Sequence, residues 1–353
     1  MTSPCQTLYV ASHGDGETGG VVALSVEPTS GSLRRVGERW GMPALRALAL
    51  HPSERVLYAA GGDGDAGSVV ALEVSDPLLH QLSVAASGGS VPCSLAVDPT
   101  GRYLLTANYG SGSLAVHSLA DDGSIESLTA VLQHEGSGPV ADRQEASHLH
   151  HVCFDAYGVN ALVTDLGADA IYSYRLDART GEVDNAPVFR SCTPAGSGPR
   201  HLAFHGSDSV VVSDELSSTV SWYRYHAPSG QLTWRGSVAA SRRSAEATDV
   251  MNYPSQVAVR PDGGLIFVGN RGHDTIAAFS LGPGGLVPVA EVAAGARWPL
   301  HFIATQQRLY CAGQEDDRIT LLGTNVTEAV FSEASSVASV PSPTWILGAK
   351  HSI

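Results

Sequence analysis

A unit of about 50 residues recurs six times along this chain, and the recurrence constrains the fold more tightly than any other feature. The segments that superimpose are ALRALALHPSERVLYAAGG (44–62), CSLAVDPTGRYLLTANY (93–109), HHVCFDAYGVNALVTDL (150–166), RHLAFHGSDSVVVSDE (200–215), SQVAVRPDGGLIFVGNR (255–271) and LHFIATQQRLYCAGQ (300–314). Each holds a short apolar run, a polar turn and a second apolar run. A third alternating run follows, as in GSLAVHSL or TIAAFSL, and then a weaker fourth. Apolar runs of this length between turn formers predict strands, and no stretch carries a helical period. The residues opening the six units, Arg46, Cys93, His150, Arg200, Ser255 and Leu300, are spaced 47, 57, 50, 55 and 45 residues apart.

Four strands per unit at this period predict the blades of a β-propeller. Six whole blades leave two fragments. Residues 7–12 read as a second strand with no first, and residues 343–348 as a first strand with no second. Joined, they form a seventh blade whose inner strand comes from the far end of the chain, which closes the ring and removes exposed edges. The expected fold is all-β: a seven-bladed propeller, one domain over residues 1–353.

In such a ring the first strand of each blade lines the central channel and the second returns to the same face. Strand-one starts and strand-two ends therefore meet at one channel mouth. The first set is Arg46, Cys93, His150, Arg200, Ser255, Leu300 and Thr344. The second is Gly62, Tyr109, Leu166, Glu215, Arg271, Gln314 and His13. Two insertions, 134–148 and 241–252, fall where a fourth strand returns to that face, and long polar loops on a rigid scaffold build pocket walls or lids.

Composition narrows the partners. With 21 Lys and Arg against 35 Asp and Glu the net charge is −14, which disfavours nucleic acid and anionic membrane surfaces. A small anionic ligand needs a local cluster of arginines. The five cysteines (Cys5, Cys93, Cys153, Cys192, Cys311) form no CxxC pair and suggest a reducing compartment. The N-terminus lacks a basic segment followed by an apolar one, and no run approaches the ~18 apolar residues of a membrane helix. A soluble cytoplasmic protein is expected, monomer and dimer both being compatible with the sequence. The sequon at Asn325 reads as coincidental.

Several stretches together resemble the seven-bladed propeller lactonases, which include propeller-type 6-phosphogluconolactonases and fungal carboxymuconate cyclases. They are ANYGSGS (107–113), DRQEA (142–146) leading to HLH (148–150), GPRHLAFH (198–205), DELSSTV (214–220), GNRGHDTI (269–276) and WPLHF (298–302). The resemblance spans nearly the whole chain. It implies active-site roles for His150, Arg200, Glu215 and Arg271, which the two rings already place at one mouth. It implies no cofactor and no required metal. Leu300 stands where many relatives carry an arginine, which weakens the case for a phosphorylated sugar and favours a less charged or carboxylated lactone.

Opening a lactone needs an activated water and stabilisation of the charge that develops on the carbonyl oxygen. Arg200 and Arg271 suit the second task, or two-pronged binding of a carboxylate or phosphate. His150 is read as the proton-transfer group, with Glu215 orienting it or anchoring the water; the reverse assignment stays open. Arg143, Gln144 and Glu145 on the first insertion either touch substrate or anchor their loop. His148, His201, His301, Gln314, Tyr109 and Arg46 complete the side chains expected to face substrate, structural packing being the competing reading for His148 and His201. Arg200, Glu215 and His150 have structural alternatives too: a cap on blade carbonyls, an ion pair tying blades together, and an inner-strand packing residue. The His148-x-His150 pair lacks the carboxylate or cysteine that would complete a metal site. Three functions stay open: hydrolysis of a lactone, its formation from an unsaturated diacid, and a non-catalytic binding platform.

Overall fold

The repeated units form seven four-stranded antiparallel sheets arranged as a propeller. The computed structural model describes residues 6–15, 17–62, 64–75, 78–245, 250–324 and 331–348; Cys5 and the sequon at Asn325 lie outside them. The fourth blade shows the plan, with strands Pro199–His205, Ser209–Asp214, Thr219–His226 and Gln231–Ala239 in spatial order. The closing blade takes its inner strand Pro343–Gly348 from the C-terminal end and pairs it with Gln6–Ser12, as the two sequence fragments required. Among the described residues the one helical element is a 3-10 turn at Arg242–Ala245, and no helix is long and apolar enough to cross a membrane.

Burial explains the composition of each strand. A blade is flanked by two others, so its second strand meets no water on either face. Tyr103–Asn108, Asn160–Asp165, Ser209–Asp214 and Ile266–Arg271 are buried at every residue, and their apolar residues run on rather than alternate. Fourth strands such as Leu78–Ala86 and Ile125–Gln133 face solvent at the rim and are mostly exposed or half-buried. The core is a chain of blade-to-blade seams. Leu8, Val10 and Ile346 of the closing blade pack on Tyr310, Ala312 and Ile319 of the sixth blade, while Tyr9 and Ala11 pack on Leu45, Leu48 and Leu57 of the first.

Polar latches set the angle between blades at the mouth. Asp169, Asp274 and Asp317 occupy the turn after a second strand with φ of 46, 55 and 56°, a conformation Asp tolerates better than most residues. Their carboxylates accept the backbone N–H of Gly198 (2.8 Å), Trp298 (2.8 Å) and Ser342 (2.7 Å), each just before the next inner strand. Hydroxyls add a second tie. Thr164 donates to the carbonyl of Arg200 at 2.6 Å and Ser213, its counterpart one blade on, to that of Ser255 at 2.7 Å.

Closure by one short strand makes that strand a sensitive point. Ile346 is fully buried in the seam with the sixth blade. Ile346→Ala is expected to destabilise the fold by about 3 kcal/mol through lost burial and a residual cavity. Val84→Ala on an exposed outer strand (54% exposed) should change stability by less than about 0.5 kcal/mol. Urea unfolding of both variants checks this; equal midpoints would mean that the closing strand contributes little.

Candidate active site

The inner strands do not begin regularly. Pairing with the second strand skips one residue between Pro92 and Ser94, Leu149 and His151, Pro199 and His201, and Pro299 and His301. The skipped residues are Cys93, His150, Arg200 and Leu300. Such β-bulges release a residue from the ladder and re-aim its side chain, here towards the mouth of the channel. A cavity of about 270 Å³ lies there. From the first ring Arg46, Cys93, His150, Arg200, Leu300 and Thr344 line it, and from the second His13, Tyr109, Glu215, Arg271 and Gln314. Ser255 does not; its hydroxyl is buried against the carbonyl of Pro299 at 2.6 Å.

Glu215 is the electrostatic centre. It is 4% exposed and three guanidinium groups surround it. Arg143 Nη2 donates to Oε1 at 2.6 Å, Arg271 Nη2 donates to Oε2 at 2.5 Å, and Arg200 Nε lies 2.9 Å from Oε2. The Arg200 contact is Coulombic, since its N–H is not aligned for a hydrogen bond and Nη1 has no protein partner either. Burial opposes ionisation of Glu215, but the charges of Arg271, Arg200 and Arg143 outweigh it and hold the carboxyl well below the usual range. Burial and the Arg271 charge pull the Arg200 guanidinium below the usual arginine range, Glu215 opposing; it stays cationic at neutral pH. Arg271 is also braced by the carbonyl of Tyr253 at 3.0 Å and by the ring of Trp298, 5.4 Å from its Cζ.

His150 meets Glu215 only through space. Both carboxylate oxygens face arginines, and His150 Nδ1 is buried without a hydrogen-bond partner. The expected orientation of His150 by Glu215 is therefore absent from this arrangement. Burial and the Arg200 charge keep the imidazole neutral. Tyr109 touches it edge-on at 5.6 Å, and its neighbour Cys93 is an inert thiol, pushed up to about 12 by burial.

Of the first insertion only Arg143 reaches the cavity. Gln144 is fully buried and anchors the loop, donating to the Leu166 carbonyl and the Asp169 carboxylate at 2.8 Å each. Glu145 is largely exposed and pairs with His148 Nε2 at 3.1 Å. His148 stacks on Tyr109 at 4.5 Å, and its Nδ1 donates to the Tyr109 carbonyl at 3.0 Å. Gln144, Glu145 and His148 thus stand behind the wall rather than in it. Both nitrogens of His148 are engaged, and among the described residues no group of three or more His, Cys, Asp or Glu is arranged to hold a metal.

The floor holds residues that the two rings did not include. His201 and His301, both expected to face substrate, line it with Trp345. His301 stacks on Trp345 at 4.1 Å, and His201 stacks on His151 at 4.5 Å. Each follows a mouth residue: His151 after His150, His201 after Arg200, His301 after Leu300, Trp345 after Thr344. The repeats contain this third ring, and the same counting would have found Trp345.

The floor predicts acid sensitivity. Burial lowers His150, His201 and His301 well below the ordinary value and His151 to about 3. These rings stay neutral when folded but protonate when unfolded near 6.5, so their contribution is present above pH 6.5 and lost as pH falls. Asp214, pushed up to about 7 by burial, acts in the opposite sense with one proton. Four rings against one carboxyl leave a net uptake on unfolding, each proton costing about 1.4 kcal/mol of stability per pH unit. The urea midpoint is expected to drop between pH 7 and 5; a flat profile would contradict the neutral floor.

The pattern described as "Lactonase, 7-bladed beta-propeller" matches residues 7–348. The chain is similar to the 6-phosphogluconolactonase of Bacillus subtilis (strain 168), with 32% identity over 267 residues, 73% of each chain. Among solved structures it superimposes on a putative 6-phosphogluconolactonase from Bacteroides fragilis NCTC 9343 with a TM-score of 0.89, 23% identity and 99% of both chains covered. A periplasmic gluconolactonase from Pseudomonas aeruginosa gives 0.87 at 24% identity, over 97% of this chain and 98% of that one. At such identities the two structures speak for the fold, and the sequence matches for the family: the chain belongs to the seven-bladed β-propeller lactonases.

Proposed function

We propose that this protein hydrolyses an anionic sugar-acid lactone, of the 6-phosphogluconolactone type, in the cavity at the channel mouth. The observation that carries the reading is the cluster of three arginines, two of them buried, on one buried carboxylate, an excess of positive charge inside a protein of net charge −14. The Bacillus subtilis relative supports a phosphorylated lactone. Leu300 on the wall leaves room for a carboxylated one as well.

In this mechanism Arg200 and Arg271 face the lactone carbonyl and stabilise the negative charge that grows on its oxygen. Arg200 lines the cavity, and its Nη1 is committed to no protein acceptor. Water adds to the carbonyl carbon, its proton passing to neutral His150. The ring C–O bond then breaks, and the proton on His150 goes to the departing ring oxygen, giving the open hydroxy acid. Glu215 transfers no proton here. Held ionised by its arginines, it fixes their guanidinium planes, and Arg143 closes the site from the loop side.

A panel of lactones including 6-phosphogluconolactone, followed by acid release, tests the reading, with carboxymuconate followed by loss of ultraviolet absorbance. Arg200→Gln is expected to lower kcat/KM by about 10²- to 10³-fold. Equal rates for both proteins would remove the site assignment. No turnover combined with tight protein binding would favour the platform. Glu215→Gln, which leaves three cations unopposed, should cost about 3–5 kcal/mol of stability in urea; an unchanged midpoint would show that Glu215 does not hold the cluster.

A further inference from the structure

The charged side chains that line the cavity offer a ligand little free hydrogen-bond acceptor capacity. Arg143, Arg200 and Arg271 only donate, and both oxygens of Glu215 face guanidinium groups. The Thr344 hydroxyl lies within reach of the Leu45 carbonyl at 2.9 Å. His301 is fixed as a donor: its Nδ1 accepts the backbone N–H of Ile346 at 3.3 Å, which places the proton on Nε2.

His201 is arranged in the opposite sense. Its Nδ1 faces Oε1 of Gln256, a residue of the fifth inner strand. A carbonyl oxygen only accepts, so Nδ1 carries the proton and Nε2 keeps its lone pair. The ring cannot turn to exchange these roles. It is 2% exposed, stacked on His151 at 4.5 Å and 26°, and in edge contact with His150 at 5.3 Å. Gln256 owes its place to the same device as the mouth residues, since pairing of its strand skips from Pro254 to Val257. With Nδ1 engaged, Nε2 is the nitrogen His201 has left for the cavity it lines.

The geometry points to Gln256 as a positioning residue that holds His201 in its Nδ1–H form, so that Nε2 accepts a hydroxyl of a polyhydroxylated acid ligand. This rests on the cavity being the substrate site. A buried acceptor left unpaired by a ligand without that hydroxyl discriminates against it, which separates sugar acids from bare carboxylic acids. The opposite rotamer of the Gln256 amide would reverse both roles, which makes the tautomer the deciding observable.

Two measurements on the full chain test this. Long-range proton–nitrogen spectra of the histidine rings should show His201 as the Nδ1–H tautomer in wild type and in Gln256→Glu, whose carboxylate also accepts. In Gln256→Leu that signature should be lost. Calorimetric titration with gluconate and with hexanoate, equal in carbon number but without hydroxyls, should show gluconate affinity falling roughly ten-fold in Gln256→Leu, with hexanoate unchanged and Gln256→Glu keeping the preference. An Nε2–H tautomer in wild type, or equal losses for both acids, overturns the proposal. A wild type that binds neither acid overturns the lactone reading of the cavity, while the spectrum by itself still decides whether Gln256 holds His201.

Discussion

A strand that is dry on both faces needs a cover on each side, and only a closed ring gives every blade two neighbours. Ser209–Asp214 and Ile266–Arg271 are buried at every position, so an open array would leave the terminal second strands against water. The pairing of Gln6–Ser12 with Pro343–Gly348 removes those ends. Everything at the mouth depends on this closure, because each side chain there is placed relative to its neighbours by latches that run from one blade to the next. Asp169 grips the turn before Arg200, and Thr164 grips the Arg200 carbonyl. Arg200 is thus held from the third blade although it belongs to the fourth.

The bulges turn a repetitive scaffold into an asymmetric site. The same local irregularity presents Cys93, His150, Arg200 and Leu300 at one mouth, and sequence alone decides what each contributes. Burying Glu215 and its arginines carries a desolvation cost that attraction between the charges only partly offsets. Such a cluster is a weak stability device. Its excess of positive charge is what a ligand anion would neutralise, and this argues for a role in binding rather than in tying blades together.

The fold was legible because the repeat is strict where burial on both faces demands it. Strand positions, blade number and the meeting of two rings all followed from counting, and the structure places eleven residues of those rings on one cavity. The inserted loop was harder. Nothing in DRQEA says which side chain turns inward, and the structure turns Arg143 in while Gln144 is spent on loop anchoring. The expected orientation of His150 by Glu215 failed for a related reason, while the ion pair weighed for Glu215 is present. Spacing fixes which mouth a residue reaches but not its place around the axis, so the carboxylate meets arginines instead of His150. Of the third ring, His201 and His301 were expected to face substrate, whereas Trp345 was hidden by the rule of alternation. Residues next to the mouth positions should point away from the channel, and the bulge lets His201, His301 and Trp345 join the cavity wall.

That third ring has a physical logic of its own. A floor of leucines would seal the channel but offer no hydrogen bond, and a floor of arginines would add charge to a site already in excess. Neutral imidazoles beside Arg200 do neither. The guanidinium charges and the burial that holds these rings neutral act together, so the cations at the mouth keep the floor polar without making it ionic. Backbone and amide partners then assign each ring its role, donor for His301 through Ile346 and acceptor for His201 through Gln256. On the function proposed above, charge at the rim serves to attract an anion, and the uncharged ring nitrogens below it serve to discriminate among the hydroxyl groups it carries.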